Sequence, residues 1–266
     1  MMPFTYQRPG SLAEALKALK ADPDAMAVAG GMTLVPAMKH RLAAPSQLFD
    51  IGGLTDLQQV RSVDGEIEIG AAVTHAKVAA NSLVIERIPA LASLASRIGD
   101  PQVRARGTLG GSVANNDPAA DYPSAVLALD AVVVTNAREI AASDFFQGMF
   151  TTALEPGELI ASIRFKIPKH AAYAKFHHPA SGYAMTGVFV ARLDDGVRVA
   201  VTGAGSSVFR WADAEAKLNE DFSAAALEGL THSADGLNAD MHAPAEYRAN
   251  LIAVMAKRAV EQCENS

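Results

Sequence analysis

Residues 108–123 read TLGGSVANNDPAADYP and combine an adjacent glycine pair with asparagine, aspartate and proline. This composition predicts a long loop and not a regular helix or strand. Glycine lets a ligand approach the backbone closely, and successive N–H groups in such a turn can point at one anion. The loop is predicted to open a helix with Asp121 as its cap. A plain surface turn is the alternative for any single pair of this kind.

A second glycine pair lies far upstream. Residues 25–29 predict a short buried strand, Gly30 and Gly31 follow it, and apolar residues from Leu34 to Leu42 recur at helical spacing. Strand, glycine pair and helix form a phosphate-binding arrangement, because a helix start has free N–H groups and the positive end of its dipole. The spacing matches neither G-x-G-x-x-G nor the P-loop. Two such loops predict a long ligand whose central pyrophosphate is held from both sides.

The composition excludes several classes of protein. The 266 residues are 50% hydrophobic, enough for a substantial core, and the net charge of -6 argues against a nucleic-acid surface. No apolar run approaches the roughly 20 residues of a transmembrane segment, and no signal peptide is evident, so a cytoplasmic protein is expected. The single cysteine, Cys263, cannot supply the about four thiolates of an iron–sulfur cluster. If the protein handles electrons, its metal partners must lie on other chains.

The pattern of helices and strands, with a shift of composition near residue 170, divides the chain into an N-terminal part, residues 1–170, and a C-terminal domain, residues 171–266. The first part is predicted to have two subdomains, about 1–53 and 54–170. A capping box at Ser11 and Glu14 opens the first helix. Further predicted elements are a strand at 48–51, a strand at 66–70, a helix at 75–80 capped by Thr74, a helix at 85–98, a strand at 131–135 with a hairpin partner at 138–140, and a strand at 157–167.

The C-terminal domain is predicted to be α+β. Strands at 173–177, 183–193 and 197–203 would form an antiparallel sheet, with a hairpin turn at Asp194-Asp195-Gly196. Helices are predicted at 210–218, 223–232 and 244–262.

Several polar side chains allow two interpretations. The carboxylate of Asp121 could accept hydrogen bonds from ribityl or ribose hydroxyls in addition to capping a helix. Asn115 and Asp117 are turn formers that could reach the same ligand. For Lys175 the sequence favours a surface position, and contact with an anionic group is the alternative. Tyr183 is either a plain strand aromatic or a ring that lies against a flat ligand.

The residues provide no sign of a catalytic or metal centre on this chain. His177 and His178 are adjacent on a predicted strand, so their side chains point to opposite faces. No cluster at metal-ligand spacing accompanies them, and no nucleophile with a paired base is visible. We therefore expect no catalytic residue and no metal ligand, and a chain that binds a cofactor and leaves the chemistry to it.

Two motifs resemble those of a known family. Residues 29–34, AGGMTL, resemble the first flavin-binding motif (Ala-Gly-Gly-x-Ser-Leu) of the FAD-binding medium subunit of molybdenum hydroxylases. Residues 107–115, GTLGGSVAN, resemble the second (Thr-Ile-Gly-Gly). This family includes carbon monoxide dehydrogenase and xanthine dehydrogenase. The flanking segments 100–104 and 117–123 resemble its aerobic carbon monoxide dehydrogenase branch. The departures are small, and Thr33 keeps the hydroxyl of the usual serine.

The resemblance implies an α+β architecture: a two-subdomain FAD-binding flavoprotein fold, similar to vanillyl-alcohol oxidase and PCMH, followed by the C-terminal domain with a three-stranded antiparallel sheet. Non-covalent FAD would lie between these parts. By position, Ile160 would pack near the adenine or flavin end, and Lys175 and Tyr183 would reach the isoalloxazine. The implied cofactor-binding set is Ala29, Gly30, Gly31, Met32, Thr33, Leu34, Thr108, Gly110, Gly111, Ser112, Asn115, Asp117, Asp121, Ile160, Lys175 and Tyr183.

The resemblance also implies an electron relay within a larger assembly. A large subunit with a molybdenum cofactor would oxidise the substrate, and an iron–sulfur small subunit with two 2Fe-2S clusters would pass the electrons to FAD on this chain. An external acceptor would then receive them. A dimer of heterotrimers is implied. The alternatives are a self-contained FAD-dependent oxidase or reductase of the same superfamily, and a nucleotide-binding or assembly module without activity.

Overall fold

The computed structural model describes residues 1–265, which form an α+β fold of three sheets and one short hairpin. The first sheet is parallel, with the order β1-β3-β2. The predicted cap at Ser11 is confirmed, since its hydroxyl accepts from the Glu14 N–H, while the Glu14 carboxylate accepts from the Gly10 N–H and not from Ser11. The elements of this part are β1 (Thr5–Gln7), α1 (Leu12–Ala21), β2 (Met26–Val28), α2 (Leu34–Lys39) and β3 (Gln47–Asp50).

Two predictions for this part are wrong. The strand β2 is not buried, because it lies at the edge of a three-stranded sheet and Met26 is 41% exposed. The helix α2 does not reach Leu42, which lies beyond its end and is 82% exposed. Arg41 has a φ of 60°, a left-handed conformation that a continuing helix cannot contain.

The second sheet has five antiparallel strands in the order β4-β5-β10-β6-β7. The predicted strand at 66–70 and the helix at 75–80 are confirmed, with the Thr74 hydroxyl accepting from the Lys77 N–H. The elements are a 3-10 turn (Thr55–Gln58), β4 (Val60–Val63), β5 (Glu66–Gly70), α3 (His75–Ala80), α4 (Ser82–Arg87), α5 (Pro89–Ser96), α6 (Pro101–Arg106), α7 (Leu109–Asn115), α8 (Tyr122–Ala128), β6 (Val132–Thr135), β7 (Glu139–Ala141), α9 (Ala142–Phe145), the hairpin β8 (Phe146–Gly148) and β9 (Thr151–Thr152), and β10 (Ile160–Phe165).

The structure corrects two helix predictions here. The single helix predicted at 85–98 is two helices, α4 and α5, which meet at Ile88. Pro89 forces the break, because its ring has no N–H and clashes with the preceding turn. The glycine-rich stretch from 108, predicted to be a loop, begins with the helix α7.

The third sheet is antiparallel, with the order β11-β12-β13-β14. A short fourth strand therefore joins the three predicted ones. The helix predicted at 223–232 is only a 3-10 turn, because Gly229 has a φ of 73° and ends it. The elements are β11 (His170–His177), β12 (Ala184–Leu193), β13 (Gly196–Thr202), β14 (Phe209–Arg210), α10 (Ala212–Glu220), the 3-10 turn (Ala224–Leu227) and α11 (Ala245–Glu264).

The main hydrophobic core joins the second and third sheets. Every residue of α8 is buried, and this helix packs against β12 and β13. Tyr173 and Phe189 of the third sheet belong to the same buried cluster as Ile69 of the second. A further cluster forms where α11 packs on the other face of the third sheet, with Ile252 and Val260 fully buried. Within residues 1–265, no helix is long and apolar enough to cross a membrane.

Candidate functional site

The two glycine pairs, far apart in sequence, lie against each other. A Cβ added to Gly30 would overlap the carbonyl oxygen of Arg106 and would lie 2.7 Å from the Cα of Gly107. Only glycine therefore permits this contact, because any larger residue would force the two segments apart. The contact brings the beginning of α2 close to the segment that enters α7.

The first glycine loop presents free backbone donors. Gly31 has a φ of 71°, which favours glycine, and its carbonyl accepts the first bond of α2 from Val35. Within residues 1–265, the N–H groups of the segment from Gly31 to Leu34 donate no hydrogen bond to the protein. Met32 and Thr33 are exposed. These N–H groups at a helix start are suited to an anion.

The second glycine pair is built differently, because its N–H groups are already bonded. The N–H of Leu109 donates to Val73 and that of Gly110 to Ala71, at 3.0 and 2.9 Å. The N–H of Gly111 donates to the hydroxyl of Thr108, which caps α7 at 3.1 Å. The expectation of an open loop with several free amides is therefore wrong for this motif.

The two glycines of this second pair face opposite ways. Gly110 is buried, and a Cβ on it would overlap the side chain of Ala71. Gly111 is exposed, and a Cβ on it would meet only the Thr108 hydroxyl, at 2.8 Å. A ligand can thus approach the backbone at Gly111 while Gly110 holds the helix against the end of β5.

Asp121 is buried and does not cap α8, so the prediction of a cap is wrong. Its carboxylate accepts from the Tyr173 hydroxyl at 2.6 Å and from the Lys175 ammonium group at 2.9 and 3.1 Å. The side chain of Lys175 is fully buried, which overturns the surface position favoured by the sequence. Burial raises the pKa of Tyr173 well above 10, and so does the Asp121 carboxylate. The hydroxyl therefore remains a donor.

Arg97, at the end of α5, completes this buried polar group. Its guanidinium lies 5.3 Å from the centre of the Tyr173 ring and donates to the Tyr173 carbonyl. The ammonium of Lys175 also reaches the Arg97 carbonyl, at 3.4 Å. Sequence reasoning missed Arg97 and Tyr173, since nothing near them in the chain marks a role. Their partners come from other elements.

The remaining predicted residues lie around the second motif in different settings. Ser112 and Asn115 are partly exposed on α7. Asp117 forms the expected turn, because its carboxylate accepts from the Ala119 N–H at 2.9 Å. Tyr183 is 48% exposed, and burial together with the carboxylates of Asp117 and Asp121 raises its pKa. Ile160 is buried in β10, which packs against α7.

His75 is a buried group that the sequence did not single out. A Cβ added to Gly107 would lie 2.5 Å from its Nε2 atom, so the ring fills the space below the second motif. Its Nδ1 atom has no hydrogen-bond partner among residues 1–265. Burial lowers the pKa of His75 to about 4, and the charge of Arg104 adds to this effect. The imidazole is therefore neutral at pH 7.

A cleft of about 250 Å³ borders the first glycine pair. Its walls are mainly apolar, and the Asp50 carboxylate in it accepts from the Tyr6 hydroxyl at 2.5 Å. The cleft gives an apolar surface to any group attached to a phosphate at Gly31. Its lining residues are Met1, Phe4, Tyr6, Val28, Ala29, Gly30, Gly31, Val35, Met38, Leu48, Asp50 and Arg106.

Of the two adjacent histidines, His178 holds a turn and packs against another ring. The Nδ1 atom of His178 accepts from the N–H groups of Ala180 and Ser181, and its ring packs edge-on against His242 at 4.4 Å. In the part of the chain that the structure describes, no group of three or more His, Cys, Asp or Glu side chains is placed to hold a metal ion.

Comparison with known proteins gives consistent results. The family described as the FAD binding domain in molybdopterin dehydrogenase matches residues 2–169. The carbon monoxide dehydrogenase medium chain of Afipia carboxidovorans is 34% identical over 278 residues, covering 98% of this chain and 96% of that protein. The nicotine 6-hydroxylase medium subunit of Paenarthrobacter nicotinovorans is 34% identical, covering 96% and 95%. The crystal structure of quinoline 2-oxidoreductase from Pseudomonas putida 86 contains a chain with a TM-score of 0.90 at 28% identity, covering 100% of this chain and 98% of that chain.

Proposed function

The chain belongs to the family of FAD-binding domains of molybdopterin dehydrogenases, and from this premise we propose that it is the FAD-binding electron-transfer subunit of a heteromeric molybdenum hydroxylase. Its relatives are medium chains of dehydrogenases and hydroxylases, so it is an oxidoreductase subunit that binds FAD. Molybdenum and iron–sulfur centres would lie on partner subunits, since the chain has one cysteine.

The observation that supports FAD most directly is the contact between the two glycine loops. The free N–H groups from Gly31 to Leu34 lie where Gly30 meets the segment before α7, and Gly111 leaves the backbone open nearby. A pyrophosphate needs several donors together with close backbone approach. This arrangement provides both, and the adjoining apolar cleft can take the adenosine half.

The proposed roles of the chain's residues follow from these positions. The amides from Gly31 to Leu34 would bind the pyrophosphate, while Ser112 and Asn115 would meet the hydroxyls beyond Gly111. Bound FAD would supply the redox chemistry, because its ring can take up electrons from a cluster and deliver them to an external acceptor. The proposed contribution of the protein itself is binding and orientation.

The buried group around Asp121 would support the ring end of the ligand. Lys175 holds a positive charge fixed against Asp121, and Tyr173 orients that carboxylate. We propose that the half-exposed ring of Tyr183 lies against the flat isoalloxazine and that Ile160 packs behind α7.

We further propose the division into an FAD-binding part, 1–170, with subdomains 1–53 and 54–170, and a C-terminal domain, 171–266. A dimer of heterotrimers is the proposed assembly, and the cytoplasm the proposed location. The matched relatives carry the names of carbon monoxide dehydrogenase and nicotine 6-hydroxylase at the same identity of 34%. We infer that the substrate is chosen on the molybdenum-bearing partner and not by this chain.

The test is a visible absorption spectrum of the protein purified from its native host, with a gel of the chains that accompany it. We expect flavin bands together with broad iron–sulfur absorption and two further subunits. Flavin bands on a single chain that turns over an organic substrate would contradict the relay and support a self-contained enzyme. A colourless single chain that does not take up added FAD would contradict flavin binding altogether.

A further inference from the structure

The hairpin of β8 and β9 ends in two exposed apolar side chains. Met149 is 51% exposed and Phe150 is 59% exposed. We call the segment Gly148–Thr151 the apolar tip. Phe150 has a φ of 53°, a left-handed conformation that is rare for an aromatic residue. The chain thus holds a large apolar ring in solvent and in a strained conformation.

A single buried residue fixes this tip. The side-chain amide of Asn116 donates to the carbonyls of Gly148 and Thr151, both at 2.8 Å. The backbone carbonyl of Asn116 accepts from the Phe150 N–H at 3.1 Å. Asn116 is only 1% exposed, and these three bonds hold the tip in one orientation.

Asn116 also connects the tip to the flavin site. It ends α7, the helix that begins with the second glycine pair. With a rise of 1.5 Å per residue, α7 spans about 10 Å. Asn116, which binds the apolar tip, therefore lies about 8 Å along the helix axis from the exposed Gly111.

The shape of the tip indicates the kind of partner. Small molecules bind in concave sites that enclose them, whereas Met149 and Phe150 project outward with more than half of their surface in solvent. Projecting aromatic and methionine side chains are typical anchors in protein–protein interfaces. Strain at an exposed aromatic residue is retained where a function requires it.

We propose that the apolar tip is the docking anchor for the iron–sulfur subunit, which receives Met149 and Phe150 in an apolar pocket. This inference rests on the proposed function. The chain has one cysteine, so its electrons must come from a cluster on another chain that approaches the flavin. The apolar tip is hydrogen-bonded to Asn116 at the end of α7. A chain that docks on the tip is therefore held at a fixed position relative to the flavin-binding helix.

The experiment uses the double variant Met149→Ser/Phe150→Gly. The chain is separated from its complex, and its dissociation constant for the iron–sulfur subunit is measured by sedimentation, with the cluster absorption reporting the position of that subunit. Loss of an interface anchor should raise this constant at least about tenfold. The thermal midpoint of the isolated chain should be unchanged or higher, because glycine relieves the left-handed conformation at position 150.

The matched control is Leu42→Ser, which removes an apolar side chain that is 82% exposed in the first subdomain and should leave the dissociation constant within about twofold. An unchanged dissociation constant for the double variant would overturn the inference. The proposed function would still be supported if the wild-type complex contains flavin and clusters. An unchanged constant with a raised KM for the acceptor would assign the tip to the acceptor instead. If the wild-type chain never carries an iron–sulfur subunit, both proposals are wrong.

Discussion

The two glycine loops share a dipeptide but differ in what their backbones do. The segment from Gly31 to Leu34 has free N–H groups on a half-exposed edge of a small sheet. The segment from Leu109 to Gly111 has its N–H groups bonded within the protein and lies on the main core. The difference shows that one loop can provide the donors while the other fixes their position.

Within each pair, glycine is needed at the two positions for different physical reasons. Gly30 and Gly110 are needed for packing, because a Cβ on either would overlap a neighbour. Gly31 is needed for its positive φ, and Gly111 for its exposed backbone. Four glycine substitutions test this division, and a fifth substitution tests the buried His75 below the second pair; the predictions run from the largest expected effect on stability to the smallest.

Adding one methyl group at either packing glycine should have the largest effect. Gly30→Ala and Gly110→Ala should each lower the free energy of unfolding by about 3 kcal/mol, because the overlap is with backbone atoms or with a fixed side chain. Urea unfolding followed by circular dichroism measures this loss. Gly53→Ala is the control, since nothing lies within 4 Å of the added atom. A loss below about 1 kcal/mol at both sites would show that the contact between the loops is loose.

The second prediction concerns pH and the buried His75. Its pKa is about 4 in the folded protein against 6.5 normally, so the unfolded chain binds more protons between these values. Stability from this group is complete above pH 6.5 and is lost as the pH falls toward 4, by about 2 kcal/mol at pH 5. His75→Gln should reduce the slope of stability against pH in this window. Equal slopes for both proteins would mean that folding does not lower the pKa of His75.

Gly31→Ala should have a smaller effect on stability and a clear effect on binding. A left-handed alanine costs about 1 kcal/mol, and the Cβ would also meet the Val35 side chain at 3.0 Å. Gly65→Ala is the matched control, because Gly65 has a φ of 83° and nothing near it. Both variants should lose similar stability, but only Gly31→Ala should lose FAD from the purified complex. Equal FAD contents would remove the first loop from the site.

Gly111→Val should change stability least, by under about 1 kcal/mol, since Gly111 is helical and exposed. Gly111 lies in the helix α7, whereas the sequence predicted a loop here. FAD affinity should nevertheless fall at least about tenfold, because the branched side chain blocks the approach of the ligand. Equilibrium dialysis of FAD against the complex measures this. Normal affinity would leave the pyrophosphate to the first loop alone.

The elements that could be predicted from the sequence have local causes. The helix α3 follows from the Thr74 cap, and β5 from its alternation of polar and apolar residues. The strand, glycine pair and helix of the first loop were also predicted, because backbone conformation there depends on neighbouring residues. The two motifs together indicated the family that the comparisons show.

The features that could not be predicted depend on distant partners. The helix α7 forms despite its glycines in part because Ala71, which is distant in the chain, packs on Gly110. Lys175 is buried because Asp121 accepts from it across a distance of more than fifty residues in the chain. Neither contact can be read from the local pattern. The sequence therefore favoured the commoner roles, an exposed side chain for Lys175 and a helix cap for Asp121.

The burial of α8 has a consequence for how this protein can be inherited and engineered. The matched family region ends at residue 169, yet Tyr173 and Phe189 beyond it complete the core around α8. A gene cut at that boundary would leave uncovered a helix that is buried along its whole length, and the fragment would aggregate. The two halves therefore do not form interchangeable modules. Recombination can transmit them only together, and a fusion or transplant must carry the chain through the third sheet.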